Sequence, residues 1–383
     1  MYQTGFAPTL PIPMTEIEMQ SVIEEERRKI LLVKSRRILY LVISAIAIMA
    51  IMGYSFTVGS SSLSAIDAYK ILFNEAFNSL STVFDFIPYN IFGEFPENYV
   101  FIVTELRAPR VLVGALIGAL LAIGGCIMQS ILKNPLATPY TLGVSSGACV
   151  GASLYYIFGI SILGGAVGLI GNTFLFSLIP VAVMMLAITR RSVTPVTLVL
   201  SGVAFSYVFS SANSIMQYFG SESAVTNVVF WTIGDLTSAE MWMVLPLIVA
   251  LTVYLIYGLV FGKDMDIMRM GDDTAASLGV NVKLVRSSAL IISCLMTAIS
   301  VACAGPIGFV CLLAPHICRR MVGSDMRWLI PMSACMGSML LLVADMIAKT
   351  VVAPLMLPVG AITALIGAPV MVYMLYSRRG MSS

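Results

Sequence analysis

The apolar residues of this chain gather into stretches of about 20, and roughly ten such stretches run without a charge to interrupt them, which is the length a helix needs to cross bilayer hydrocarbon. Hydrocarbon offers no partner for a backbone N–H or C=O, so only helices and closed barrels span it. Runs of this length, without strict alternation, predict an all-α, polytopic membrane protein of ten transmembrane helices. Composition agrees, at 58% hydrophobic and 11% charged residues with a mean hydropathy of +0.94, against the roughly 25% charged residues of a soluble domain. The predicted spans are residues 38–58, 111–132, 142–159, 165–189, 196–219, 241–262, 287–304, 307–322, 329–349 and 358–377. The run 142–159, rich in Gly and Ser, has the faintest signal, but without it the chain ends on the wrong side. The first run follows 37 mostly polar residues and exceeds the 7–15 residues of a signal-peptide core, so it is expected to stay as span one.

Charge sets the orientation. With the amino terminus cytosolic, ten crossings return the carboxyl terminus to the cytosol, and 18 of the 22 Lys and Arg residues fall on the cytosolic side, as the positive-inside rule requires. Only Lys70, Arg107, Arg110 and Lys349 lie outside. The expected location is therefore the cell membrane, with residues 1–37 a cytosolic segment and 38–379 the membrane domain. The cytosolic segment shows capping-box spacing from Thr15 to Glu18 and the i,i+4 pairs Glu24/Arg28 and Glu25/Lys29, which predict a helix leading into span one. An external segment, 59–110, is long enough for one or two surface helices. Small residues four apart, in Gly114/Gly118, Gly147/Gly151 and Gly164/Gly168, allow close helix approach, either within the chain or across a dimer seam.

Several chemistries are excluded. No Gly-x-x-x-x-Gly-Lys-Ser/Thr loop is present, so ATP use must come from a partner. No catalytic constellation and no metal site are predicted: the lone His316 has no ligand at useful spacing, and the seven cysteines all sit in apolar runs as small packing residues. Nothing resembles a basic stripe with exposed aromatics, which speaks against nucleic acid. An ion-coupled secondary transporter or a polytopic membrane enzyme would need converging ionisable groups at one depth. The spans beginning at Val111 and Leu142 hold none, and Asp345 sits one turn from Lys349 near the outer end of its span, an i,i+4 pair. A neutral path suits passage driven by conformational change imposed from outside the chain. In the cytosolic segment 263–286, residues Met270 to Val282 place acids at the start of a helix of about seven residues and Gly279 at its end. A helix so short is marginal in water and needs packing on its own domain or on a partner, unless the stretch is simply an ordered loop.

An ordered set of motifs then carries a resemblance. It comprises Arg107-Ala-Pro-Arg110, Gln129, Asn134-Pro-Leu-Ala137, Leu142-Gly-Val-Ser-Ser-Gly147, Gly305-Pro-Ile-Gly-Phe309, Pro315-His316, Ala344-Asp345, Leu357-Pro-Val-Gly360 and Gly367-Ala-Pro369. From about Arg107 to Arg379 the chain resembles the iron-siderophore/cobalamin/haem permease family of type II ATP-binding-cassette importers. The resemblance implies a homodimer, two cytosolic ATPases carrying ATP and magnesium, and an external substrate-binding protein, with no cofactor bound by this chain. It implies that Asp272, Ala275, Ser277, Leu278, Gly279 and Val280 form an ATPase-coupling helix, with Ala275, Leu278 and Gly279 at its contact core. Arg107, Arg110 and Lys349 are the implied docking charges for the binding protein. The implied path runs beside the fifth span, with an inner constriction near Thr194, Pro195, Val196 and Asn134, Pro135, Leu136, and a polar lining that includes Ser201, Ser206 and Asn213. Ferric siderophore is the foremost substrate expectation, followed by cobalamin or haem and then molybdate. The chain departs from a compact member in its 37-residue head, its long external segment, and Met356 where an acid often precedes Leu-Pro-x-Gly.

Overall fold

In a computed structural model, residues 16–58, 63–81, 90–162, 164, 167–190, 195–353 and 355–379 are described; Thr15, with the predicted capping box, and Thr194 lie outside them. Among the described residues there are helices and no strand. All ten predicted spans are helical: α1 (Glu16–Thr57), α4 (Ala108–Ile131), α5 (Val144–Phe158), α6 (Gly168–Arg190), α7 (Pro195–Tyr218), α9 (Val244–Met268), α11 (Val282–Ala304), α12 (Val310–Val322), α13 (Met326–Thr350) and α14 (Val359–Arg379). Between them lie α2 (Ala65–Ser81), α3 (Glu97–Phe101), α8 (Glu222–Ile233) and α10 (Asp272–Ser277). Among the described residues, seven helical stretches are long and apolar enough to cross a bilayer alone. Of the other three, α5 has 15 residues, α12 has 13 and α14 has 21.

Helix α4 is apolar all round, and such a helix belongs in the centre of a bundle. It is buried along nearly its whole length and packs against α9, α11, α12 and α13. Its outer end continues upstream without a break, through a π-helical turn at Ile102–Arg107, into α3. The external segment rests on this extension. Phe56, Leu63, Ile71, Val103 and Val111 form a small core of their own there. The Asn74 amide donates to the Gly93 carbonyl (2.7 Å) and its oxygen accepts from Phe92 N–H (2.9 Å), pinning the turn that precedes α3. The short helix α8 was not expected from the sequence.

Helices in lipid gain little from burying apolar surface, because the tails are equally apolar, so close packing must hold them together. At the α4–α13 crossing the two backbones touch. A Cβ on Gly118 would lie 2.4 Å from the Gly337 carbonyl oxygen, and one on Gly337 would lie 2.1 Å from that of Gly118. Gly147 and Gly151 bring α5 equally close to the α6 backbone at Phe176 and Asn172. These pairs are thus intramolecular seams. Gly164 differs, with nothing within 4 Å of its would-be Cβ. Replacing Gly118 by Leu is therefore expected to lower stability by about 1–3 kcal/mol or more through overpacking, while Gly164→Leu stays within about 0.5 kcal/mol of the parent. Thermal unfolding in detergent micelles checks the pair.

Candidate functional site

The predicted coupling segment is a helix of six residues, α10, entered through Gly271 (φ +134°) and closed by Gly279 in the left-handed region (φ +86°). Val280 N–H returns to the Ala275 carbonyl (3.0 Å) and Gly279 N–H to that of Ala276 (3.0 Å), the bonding of a glycine-closed helix end. So short a helix needs an anchor. Asp272 provides it: its carboxylate accepts from Lys133 Nζ (2.9 Å), at the end of α4, and from Arg286 Nη2 (2.8 Å), on α11. Partial burial alone would push the Asp272 pKa up, but the hydrogen bonds and charges of Lys133 and Arg286 outweigh it and the pKa is lowered. Ala275 is fully buried against the chain's own bundle, so of the three implied contact residues only Leu278 and Gly279 face outward. Leu278 is 62% exposed, and Met270, which sequence reasoning missed, is 74% exposed at the other end of the segment. Ser277 is exposed and bonds back to the Asp273 carbonyl (2.9 Å).

At the opposite face the predicted docking charges are drawn inward. Arg110 is buried and donates through Nε to Asp345 (2.8 Å), with Nη1 3.3 Å from the Met356 sulfur and Nη2 3.8 Å from Asp235. Lys349 Nζ contacts the second Asp345 oxygen (2.6 Å). The i,i+4 pair read from the sequence is thus one edge of a four-residue network, in which Asp345 has no exposed surface. Arg107 is half-buried and donates to the Phe56 carbonyl. Met356, in place of an acid, lies against the Arg110 guanidinium.

The predicted path residues separate. Asn134 accepts from Leu136 N–H (2.9 Å), a side-chain turn that holds Pro135 and leaves Leu136 exposed beside Lys133. Pro195 opens α7, and Val196 is exposed one residue on. Ser206 bonds back to the Gly202 carbonyl (2.9 Å), and the Asn213 oxygen accepts from Ser153 on α5. Ser201 is half-buried. The outward stripe of α7 is mainly apolar and aromatic, at Val196, Leu200, Val203 and Tyr207.

One residue that sequence reasoning missed, Tyr140, holds a break in the helical path. The Gly305–Phe309 motif breaks the chain between α11 and α12, with Gly305 at φ +68° and Phe309, a non-glycine, at φ +64°. The Tyr140 hydroxyl donates to the Ile307 carbonyl (3.1 Å) and accepts from Ile307 N–H (3.3 Å), satisfying both backbone groups. Tyr140 stands in the 3₁₀ turn Pro139–Leu142, a few residues from the Asn134 turn. On the outer side of the break, Asp235 N–H reaches the Ala304 carbonyl (2.9 Å), and Gly360 N–H reaches that of Gly234 (3.0 Å). Deeper in the bundle, Arg319 donates to the Gln129 oxygen, whose amide donates to the Cys311 carbonyl (3.3 Å). His316 is buried within α12. Among the described residues no group of His, Cys, Asp or Glu is placed to hold a metal ion.

A bundle of membrane helices with a short, tethered helix on one face is the architecture of a membrane transport subunit. The chain belongs to the FecCD transport family, whose family model matches residues 42–377, and it is a permease subunit of ATP-binding-cassette importers. The resemblance read from Arg107 onward thus extends upstream into span one. The chain is 37% identical over 290 residues to the Fe(3+) dicitrate transport system permease protein of Escherichia coli, covering 74% of this chain and 87% of that one. It is 34% identical over 281 residues to the hemin transport system permease protein of Yersinia pestis (72% and 83%). It is 34% identical over 277 residues to the vitamin B12 import system permease protein of Klebsiella pneumoniae (72% and 82%). The fold is similar to that of a metal-chelate type ABC transporter solved in an inward-facing conformation, with a TM-score of 0.72 and 25% identity over 88% of this chain and 98% of that one.

Removing one partner from a buried ion network leaves the others uncompensated, at a cost of about 3–5 kcal/mol. Asp345→Asn is accordingly expected to be strongly destabilising in nanodiscs, and adding Arg110→Met and Lys349→Met to it should recover most of the loss. The lowered pKa of Asp272 means that its tether is present above the ordinary aspartate value of about 3.9 and is lost as pH falls through the folded value. Amide-exchange protection of residues 270–280 should hold from about pH 8 to pH 5 and fall below about pH 4, a dependence absent from Asp272→Asn.

Proposed function

We propose that two copies of this chain work with two cytosolic ATPases, which bind and hydrolyse magnesium ATP, and with an external binding protein that delivers a metal chelate. Both termini are then cytosolic, on the same side as α10. The observation that carries the reading is α10 itself: a helix too short to stand alone, tethered through Asp272 to α4 and α11, with Leu278 and Met270 bare at its ends. Exposed apolar side chains on a fixed, polar-rimmed element are what a partner's cleft buries.

In this mechanism ATP closes the two ATPases and displaces α10. Because Asp272 holds Lys133, the displacement reaches the Asn134–Leu136 turn and, across the inner constriction, the start of α7 at Pro195 and Val196. Through Tyr140 and Ile307 it reaches the break before α12 and the end of α8 on the outer side. A ligand or partner shifts such an equilibrium only by its differential affinity for the two states, so the work comes from nucleotide on the partner. Outside, the half-buried Arg107 offers the binding protein a cation, and Arg110 and Lys349, both held inward by Asp345, support it. Complementary charge of this kind mainly orients and steers docking.

The substrate we favour is a ferric siderophore, with cobalamin, haem and molybdate as the alternatives. The similarity to permeases of Fe(3+) dicitrate, hemin and vitamin B12 transport supports a large metal chelate, as does the neutral outward stripe of α7. Uptake of radiolabelled iron chelate and cobalamin into proteoliposomes tests the scheme. Uptake should require both the ATPase and the binding protein, and Leu278→Arg should reduce it on the order of tenfold or more, the effect of a charge at a buried contact. Uptake driven by an ion gradient without ATP would overturn it.

A further inference from the structure

The cytosolic half of α1 serves no purpose in the coupling scheme, yet it is built in a particular way. The helix has 42 residues, about 63 Å at 1.5 Å per residue, roughly twice the thickness of bilayer hydrocarbon. Its upper half docks on α13, where Ser44 meets Met332. Its lower half turns one face, at Lys29, Ile30, Val33, Lys34 and Arg37, toward the amino-terminal end of α13, and a cleft of about 610 Å³ lies between them. A helix face turned toward its own protein is ordinarily apolar. This one carries three cations.

The opposite wall does not neutralise them. Its one carboxylate, Asp325, is already engaged by Arg327 (Nη2, 2.9 Å), by Arg327 N–H (3.1 Å) and by Arg37 (3.6 Å). Lys29 is drawn to Glu25 and Glu26 on α1 itself (3.0 and 3.1 Å). Lys34, Arg37 and Arg327 therefore face the cleft against the single charge of Asp325, and Lys34 bonds to nothing among the described residues. The cleft is also amphipathic. Trp328 forms part of its wall, the kind of side chain that settles at a membrane interface, and Ile30 and Val33 stand 65% and 51% exposed between the cations. Further up, α1 continues directly above Lys34 as an apolar flank through Ile38, which is 45% exposed, Leu41 and Ala45. The level is that of the membrane boundary on the α10 side, since Arg269, after α9, bonds to the Ser324 carbonyl at the cleft's edge (2.8 Å).

We propose that this cleft is a binding site for an anionic phospholipid of the leaflet on the α10 side: the phosphate lies among Lys34, Arg37 and Arg327, the headgroup rests on Trp328, and the acyl chains run along the exposed apolar face of α1. Basic pockets between helices on that side of a membrane suit anionic headgroups. A free anion would use the same cations but would leave the apolar flank above Lys34 uncovered.

Native mass spectrometry of the full chain, delipidated in detergent and then titrated with phosphatidylglycerol, phosphatidylcholine or inorganic phosphate, tests the site. Phosphatidylglycerol is expected to be retained in preference to phosphatidylcholine, with inorganic phosphate neither retained nor competing. Lys34→Gln should reduce phosphatidylglycerol retention about fivefold, the effect of one basic residue at an anionic membrane surface. Arg28→Gln serves as the control, because Arg28 is exposed on the opposite face of the same helix. Its retention should change less than twofold. An equal loss in Arg28→Gln would show diffuse attraction without a site, and displacement of the lipid by inorganic phosphate would show a free-anion site; either result overturns the proposal. Because no ATPase or binding protein takes part, the outcome is independent of the transport scheme.

Discussion

The structure depends on one constraint: inside hydrocarbon, every backbone donor and acceptor must find its partner within the protein. Regular helix meets it automatically, and most of the chain is therefore regular helix. The interruption between α11 and α12 is where the constraint becomes visible. Residues 305–309 leave the helical path with two positive-φ positions, and the groups thus freed at Ala304 and Ile307 are met by Asp235 and by the Tyr140 hydroxyl. Backbone freed at this depth is tolerated because protein surrounds it. The same bonds tie the Pro139–Leu142 turn and the stretch after α8 to one break, so satisfying it also connects elements far apart in sequence.

The second organising feature is how the chain handles charge. Where the expected docking residues approach the bundle, Asp345 gathers Arg110 and Lys349, and the network reaches Asp235 beyond the end of α8. On the other face Asp272 gathers Lys133 and Arg286. Each carboxylate joins helices distant in sequence. A buried ion network adds little net stability compared with apolar packing, but it is unforgiving of the wrong arrangement. That suits a protein whose helices must keep their register while the bundle changes shape. At the cleft beside α1 the balance differs: cations converge there with one carboxylate among them.

Much of this was legible in the sequence, and the reasons are local. The ten spans could be read because lipid demands long apolar runs. Gly279 could be read as the end of α10 because a left-handed terminus favours glycine. The Asp345–Lys349 pair followed from i,i+4 spacing alone. What escaped was non-local or too short. Helix α8, at 12 residues, has neither the length of a span nor the charge pattern of a surface helix. Ala275 was expected at a partner surface, yet it faces inward, because the tether of Asp272 sets the rotation of α10.

The sequence by itself determined that the chain is a bundle of membrane helices and which stretches of it are apolar enough to form them. Hydropathy, charge and turn chemistry are properties of neighbours along the chain. Only the tertiary structure decided that α4 is the centre, that Gly118 meets Gly337, that Arg110 answers Asp345 across 235 positions of sequence and that Tyr140 completes a break 167 positions away. Such contacts follow from how whole helices cross, which is set by the summed packing of many side chains and is written at no single position.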